Sequence, residues 1–282
     1  MRPIVVAVDF SNTSVHAVEY AVSIANTLNS DVYMVWVDKI GIQETIYPES
    51  TSESRTEIKK KFEDLIRHYR PGLSKGLTLD YKLRKGKIYR EVDTFAQSVR
   101  AGMIITGTHG ISGFEEYWLG SNAYKIVSFT SLPVITLRHD FPVSGSVRKI
   151  LMLMDGSNET IQKVPFTAKI AEIFGAEILM LTIHGNNLKS IQRIAEKYTR
   201  MASAFFQEHD IPYSEESIVA TNLIKTAVDY AVNHQVDLIS VMTEQETPVN
   251  IYIGAQVQQL ISQSPIPIMS ITPGDKFKLE PL

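Results

Sequence analysis

Cysteine is absent from the 282 residues, which excludes disulfides, thiolate catalysis and cysteine-based zinc sites and fits a reducing compartment. Positive charge is not in excess either. The chain has 28 Lys and Arg against 31 Asp and Glu, a formal net charge of -3, so no basic field exists to hold a polynucleotide nonspecifically. No apolar run approaches the roughly 18 residues that a membrane span needs. The N-terminal run from Arg2 to Asp9 is too short for a signal peptide and reads as a first strand. The expectation is a cytoplasmic protein that contacts neither nucleic acid nor membrane.

Several chemical signatures are missing as well. There is no G-x-S-x-G elbow, no Walker G-x-x-x-x-G-K-[ST] and no G-x-G-x-x-G. The 7 histidines include no H-x-H or H-x-x-x-H pair, so no metal site is evident. Without a Walker lysine to grip the β- and γ-phosphates, fast nucleotide hydrolysis by that route has no machinery.

What is present is enough apolar material, 44% of residues, to build a core in each of two domains. The chain repeats itself. Arg2 to Asp9 aligns with Arg148 to Asp155, each an apolar run closed by an aspartate, and Asp31 to Val35 aligns with Glu177 to Leu181. Near the ends of the halves Gly120 meets Gly254, and Leu132-Pro133-Val134-Ile135 meets Ile266-Pro267-Ile268-Met269. The spacing has closed by about a dozen residues on the way. The excess is assigned to Gly41–Arg55, a polar Ser/Thr/Glu-rich stretch that reads as a loop or lid. His139–Val147, with its Pro, Gly and Ser, reads as the linker, and the domains are drawn at 1–140 and 147–282.

Short Val- and Ile-rich runs alternate with longer amphipathic segments in both halves, the pattern of an open parallel sheet with helices on both faces. In the first half the strands fall at Pro3–Val8, Asp31–Val37, Leu77–Leu83, Met103–Thr106 and Pro133–Leu137. A first helix opens near Ser11 or Asn12 with Val15, Val18, Val22 and Ala25 toward the core. Further helices cover about Ser54–Tyr69 and Tyr89–Arg100. In the second half Pro165 is expected to kink the first helix or to delay its start.

Gly107-Thr108-His109-Gly110 follows the buried-strand pattern Met103-Ile104-Ile105, and Gly120-Ser121 stands nine residues further on. Glycines let a backbone approach phosphate oxygens with no Cβ in the way, and a helix starting after Gly120 offers unpaired N–H groups and a positive dipole end. The stretch Gly107 to Arg138 resembles the universal stress protein family. Nucleotide-binding members carry G-x2-G-x9-G-[ST], then a helix and a Pro-Val-containing last strand. Gly107, Gly110, Gly120 and Ser121 fill the four defining positions, and Leu132-Pro133-Val134-Ile135 fills the last strand. The resemblance implies two tandem Rossmann-like domains, each an open parallel five-stranded sheet, joined through their last strands as an internal pseudo-dimer. It also implies ATP, with AMP or ADP as alternatives, as the ligand, and regulation by occupancy rather than turnover. Homodimerisation and unidentified protein partners belong to the same expectation.

On that reading Asp9 lies beside adenine and ribose, its alternative role being to cap the following helix. Val37 lies against the adenine face, where a plain core valine would look the same. The backbone of Gly107, Gly110 and Gly120, the backbone and hydroxyl of Ser121 and the amide of Asn122 hold the phosphates. Glu115 and Glu116 either face water or share Mg²⁺ with the phosphates. His109 is read as shaping the turn and not as a catalytic base. In the second half Met242-Thr243-Glu244-Gln245 and Gly254-Ala255 replace the motif, so that half is expected to keep the scaffold and to have lost the nucleotide site.

Overall fold

The computed structural model describes residues 2–38, 51–108, 120–185, 189–243 and 254–274. Strands β1 (Ile4–Ala7), β2 (Val32–Asp38), β3 (Leu79–Lys85), β4 (Met103–Gly107) and β5 (Val134–Leu137) belong to the first half. The second half contributes β6 (Lys149–Met154), β7 (Glu177–His184), β8 (Tyr213–Val219), β9 (Leu238–Met242) and β10 (Ile268–Ile271). They form one 10-stranded sheet in the order β3-β2-β1-β4-β5-β10-β9-β6-β7-β8. Every neighbouring pair is parallel except β5 and β10, which run antiparallel with Ile135 opposite Met269. That single antiparallel seam makes the two halves an internal pseudo-dimer. It also consumes both last-strand edges, so any homodimer has to use a different surface.

Eight helices, among the described residues, cover the sheet: α1 (Asn12–Leu28), α2 (Thr51–Tyr69), α3 (Ile88–Ser98), α4 (Ser121–Phe129), α5 (Val164–Phe174), α6 (Lys189–Glu208), α7 (Leu223–Asn233) and α8 (Ala255–Gln263). Alternation along the strands sorts the core into two layers. Ile4 and Val6 of β1 point to one layer with Phe62 of α2, Ala168 of α5 and Phe206 of α6, while Val5 points to the other with Val92, Ala123, Ala227 and Leu260. Central strands covered on both faces must be apolar on both, and every residue of β4, β5, β9 and β10 is buried.

The local signals act largely as expected. Ser11 is the N-cap of α1, its Oγ accepting from the Ser14 N–H at 3.2 Å, and the helix ends on Asn29 in the left-handed conformation at φ 47°. Val18, Val22 and Ala25 are fully packed, but Val15 is only partly buried and is not a core residue. α2 opens at Thr51, three residues before the expected start, so Thr51–Arg55 are helical and not part of a loop. The remainder of the expected lid, 41–50, lies outside the described residues. A 3-10 turn at Arg70–Gly72 adds to the extra length of the first half. Pro165 sits in the first turn of α5 after a 3-10 turn at Asn158–Lys163, so it delays the helix without kinking it, as a residue lacking an N–H can where no intrahelical partner exists.

The linker is packed and not free. His16 Nε2 donates to the Phe141 carbonyl at 2.7 Å, the Phe141 ring meets Tyr20 edge-on at 6.2 Å, and Val147 is buried. No helix among the described residues is long and apolar enough to cross a membrane.

Candidate functional site

In an open parallel sheet the crevice lies at the carboxyl ends of the strands where connections leave toward opposite faces. Here that point is between β1 and β4: β1 leads into α1 on one face, and β4 leads toward α4 on the other. A cavity of about 410 Å³ opens there, walled by the ends of β1, β2 and β4, the start of α3 and the start of α4.

The Gly120 N–H donates to the Thr108 carbonyl at 2.8 Å, and the Thr108 N–H is in turn held by the Leu137 carbonyl at 3.0 Å. These two bonds pin the N-cap of α4 against the end of β4. Gly120 is the N-cap of α4 and, being glycine, has no side chain to satisfy the amides of the first turn. The N-terminus of α4 therefore meets the cavity, with Gly107, Thr108, Gly120, Ser121 and Asn122 all in its wall. Unpaired amides and the positive end of the helix dipole suit an anion.

At the other side, Asp9 is fixed rather than free. Its Oδ1 accepts from the Ser11 N–H at 3.0 Å and from the Ser11 hydroxyl at 2.6 Å, and its own N–H donates to Ser14 Oγ at 3.2 Å. Ser11, not Asp9, caps α1, so the capping role offered as the alternative for Asp9 falls to its neighbour. Asp9 still lines the cavity and is the only charged side chain among the described lining residues. No lysine or arginine lies among them, so amides are the groups available for negative charge.

The structure thus brings Asp9, Val37, Gly107, Gly120, Ser121 and Asn122 to one cavity. Gly110, His109, Glu115 and Glu116 lie outside the described residues. Among the described residues no three acidic or histidine side chains gather as a metal would need. Gly107 has a further reason to be glycine: a Cβ there would stand 2.6 Å from Thr13 Cγ2 and 3.0 Å from the Thr13 carbonyl carbon. Its place in the motif follows from the close pass of α1 over the end of β4. The wall also holds residues outside the expected set, among them Ser14, Ile88, Val92 and Ile126. Ile88 and Val92 are spaced i, i+4 at the start of the helix after β3, where the first apolar turn necessarily lies at the carboxyl edge of the sheet. That signal was available in the sequence.

Residues 1–138 match the model of the universal stress protein family. This half of the chain belongs to the universal stress protein family. A universal stress protein of Methanocaldococcus jannaschii is 24% identical over 139 residues, covering 49% of this chain and 82% of its own. One from Bacillus subtilis is 27% identical over 142 residues, covering 47% of this chain and 96% of its own. A universal stress protein from Archaeoglobus fulgidus superposes on nearly the entire molecule, with a TM-score of 0.75 at 16% identity, covering 98% of this chain and 97% of that one. The second half therefore shares the universal stress protein fold, in keeping with a tandem arrangement.

The second half also repeats the strand-end turn. The Asp155 N–H donates to Thr160 Oγ1 at 3.3 Å and the Ser157 N–H donates to Asp155 Oδ1 at 2.7 Å, as Asp9, Ser14 and Ser11 do in the first half. The Thr243 N–H reaches the Ile271 carbonyl at 2.9 Å, as Thr108 reaches Leu137.

Proposed function

We propose that the first half binds an adenine nucleotide, ATP first, and that the protein acts in stress regulation through occupancy of this cavity. The observation that carries the reading is the N-terminus of α4, pinned by the Gly120 to Thr108 bond so that its uncapped amides meet a cavity of about 410 Å³. Phosphates would lie on the amides of Gly120, Ser121 and Asn122 with the Ser121 hydroxyl, and the ribose beside the fixed carboxylate of Asp9. The adenine would lie in the apolar part between Val37 and Val92. Gly110 completes the phosphate contact in this proposal. Mg²⁺ would enter only if Glu115 and Glu116 turn toward the ligand.

Occupancy is favoured over turnover on physical grounds. Amides that hold the ground-state phosphates hold the transition state about equally well, which confers affinity without much rate. Asp9, the one carboxylate among the described residues of the wall, already accepts two hydrogen bonds from Ser11.

Isothermal titration of the full chain with ATP tests the proposal through its stoichiometry. One equivalent of ATP per chain is expected, because Ala255 replaces Ser121 and Met242 replaces Gly107 in the second half. Two equivalents would show that the second half also takes the nucleotide, and no binding would remove the proposal.

A further inference from the structure

The second half has lost two of the three glycines of the motif and keeps Gly254, yet its cavity has not closed. About 410 Å³ remains at the carboxyl ends of β6, β7 and β9, the same volume as in the first half. Equal volume conceals a systematic change of lining. Aligning the halves through their shared turns, Ala7 becomes Leu153, Val35 becomes Leu181 and Val37 becomes Ile183. On the helix side Ala123 becomes Val257 and Ser121 becomes Ala255, and at the strand end Gly107 becomes Met242. Each replacement is larger or less polar. Two run the other way: Trp36 of β2 becomes Thr182 of β7, and Val92 of α3 becomes Ala227 of α7, which opens the floor, and together they offset the larger walls.

Met242 is tolerated because the chain after Asp155 is wound differently. Where Thr13 stands in the first turn of α1 and would strike a side chain on Gly107, the second half carries the 3-10 turn Asn158–Lys163, with Glu159 in the equivalent place. That turn brings charge to the cavity. Asp155 and Glu159 both line it, both are exposed to solvent, and no lysine or arginine is among the described lining residues. Lys163 is near Asp155 but fully buried beneath the turn, its Nζ donating to the carbonyl and Oγ1 of Thr160, so it offsets one of the two carboxylates. Ser157, Thr243 and Gln256 complete the polar part of the wall.

We propose that the second cavity is a separate binding site for a small molecule with a hydrophobic body and a cationic amine end. The aliphatic walls bury the body, which supplies the affinity. The amine sits at the mouth toward Glu159 and Asp155, and the same carboxylates repel phosphate or carboxylate groups, so the site discriminates against the ligand class proposed for the first half. The proposal does not depend on nucleotide binding there.

The test is a calorimetric titration of the full chain at pH 7 with two ligands of the same aromatic body, 1-naphthylmethylamine and 1-naphthylacetate. The amine is expected to bind at least roughly tenfold more tightly, the combined effect of attraction in one case and repulsion in the other. Ala227→Phe, which fills the floor, should lower amine affinity by roughly tenfold or more. Glu159 is exposed, so Glu159→Gln leaves the core untouched; it should weaken the amine by about threefold and leave uncharged 1-naphthylmethanol unchanged. Saturating ATP should not compete. Equal affinity for the amine and the acetate, no binding of the amine at about 1 mM, stoichiometric displacement by ATP, or full affinity in Glu159→Gln would each overturn the proposal.

Discussion

Gly120→Val is expected to lower ATP affinity by at least about 100-fold, near 3 kcal/mol, while leaving the protein folded. The backbone at Gly120 has φ -54° and ψ 137°, an extended conformation that any residue adopts, so no strain opposes the substitution. Its N–H bond to Thr108 survives. The structural cost is that of a poor N-cap, about 1 kcal/mol, whereas the added side chain takes space beside the amides of Ser121 and Asn122. Gly107→Ala should behave in the opposite way. Its Cβ would come within 2.6 Å of Thr13 Cγ2 and 3.0 Å of the Thr13 backbone, a contact that neither α1 nor β4 can relieve by a simple rotamer change. A loss of about 1–3 kcal/mol in stability follows. Calorimetry and urea denaturation on both variants separate the two roles. Full ATP affinity in Gly120→Val would remove the α4 N-terminus from the proposed phosphate site, and wild-type stability in Gly107→Ala would show that the Thr13 turn yields freely.

The pair also marks how far the residues alone carry the reading. The α/β class, the duplication and the first-half strands were legible, because two-sided burial forces continuous apolar runs and each strand ends within two residues of the expected position. The Ser11 cap and the Pro165 delay were legible for the same reason: both depend on local backbone chemistry. Val15 was misjudged because helical spacing places it on the apolar side of α1 without saying that the helix rim there is left partly open. The start of α2 was missed because Thr51-Ser52-Glu53-Ser54 has the composition of a loop, and composition does not distinguish a polar helical turn from one.

At the site the glycines were legible as a group but not by cause. Gly107 answers to Thr13, which is distant in sequence, and no local pattern contains that contact. The second cavity was hidden for a related reason. Reading Gly107 to Met242 and Ser121 to Ala255 as losses assumes that the space depended on small residues, and the compensating changes, Val92 to Ala227 and Trp36 to Thr182, lie on other elements. Volume is a property of all the walls together.

Lys163→Met is expected to make the protein more stable at neutral pH and to abolish a rise in stability toward alkaline pH that the wild type shows. Lys163 is fully buried at the position where the first half has Ala17, also fully buried. Its ammonium has two hydrogen bonds to Thr160, and nearby Asp155 favours the charge, yet burial outweighs Asp155 and lowers the Lys163 pKa from 10.5 to about 8. Below pH 8 the side chain is protonated in both folded and unfolded chains, and the folded state bears the full cost of the buried charge. Between about 8 and 10.5 the folded chain has released a proton that the unfolded chain still holds, so stability increases with pH across that window. The gain between pH 7 and pH 9 is roughly 1 kcal/mol. At higher pH the trend reverses. Burial raises the pKa of Tyr20 far above the usual phenol value and that of Tyr230 to about 12, so their unfolded counterparts ionise first and stability falls. Methionine matches the lysine stem and carries no charge, and Thr160 Oγ1 keeps the Asp155 N–H as a partner. The variant should gain roughly 1–3 kcal/mol at pH 7, as replacements of buried ionic groups by apolar ones often do. Urea denaturation of both proteins at pH 7 and pH 9 provides the measurement, since the difference between them removes every other titrating group. A difference that does not change with pH, or a methionine variant less stable at pH 7, would mean that the two Thr160 bonds and Asp155 fully compensate the buried charge.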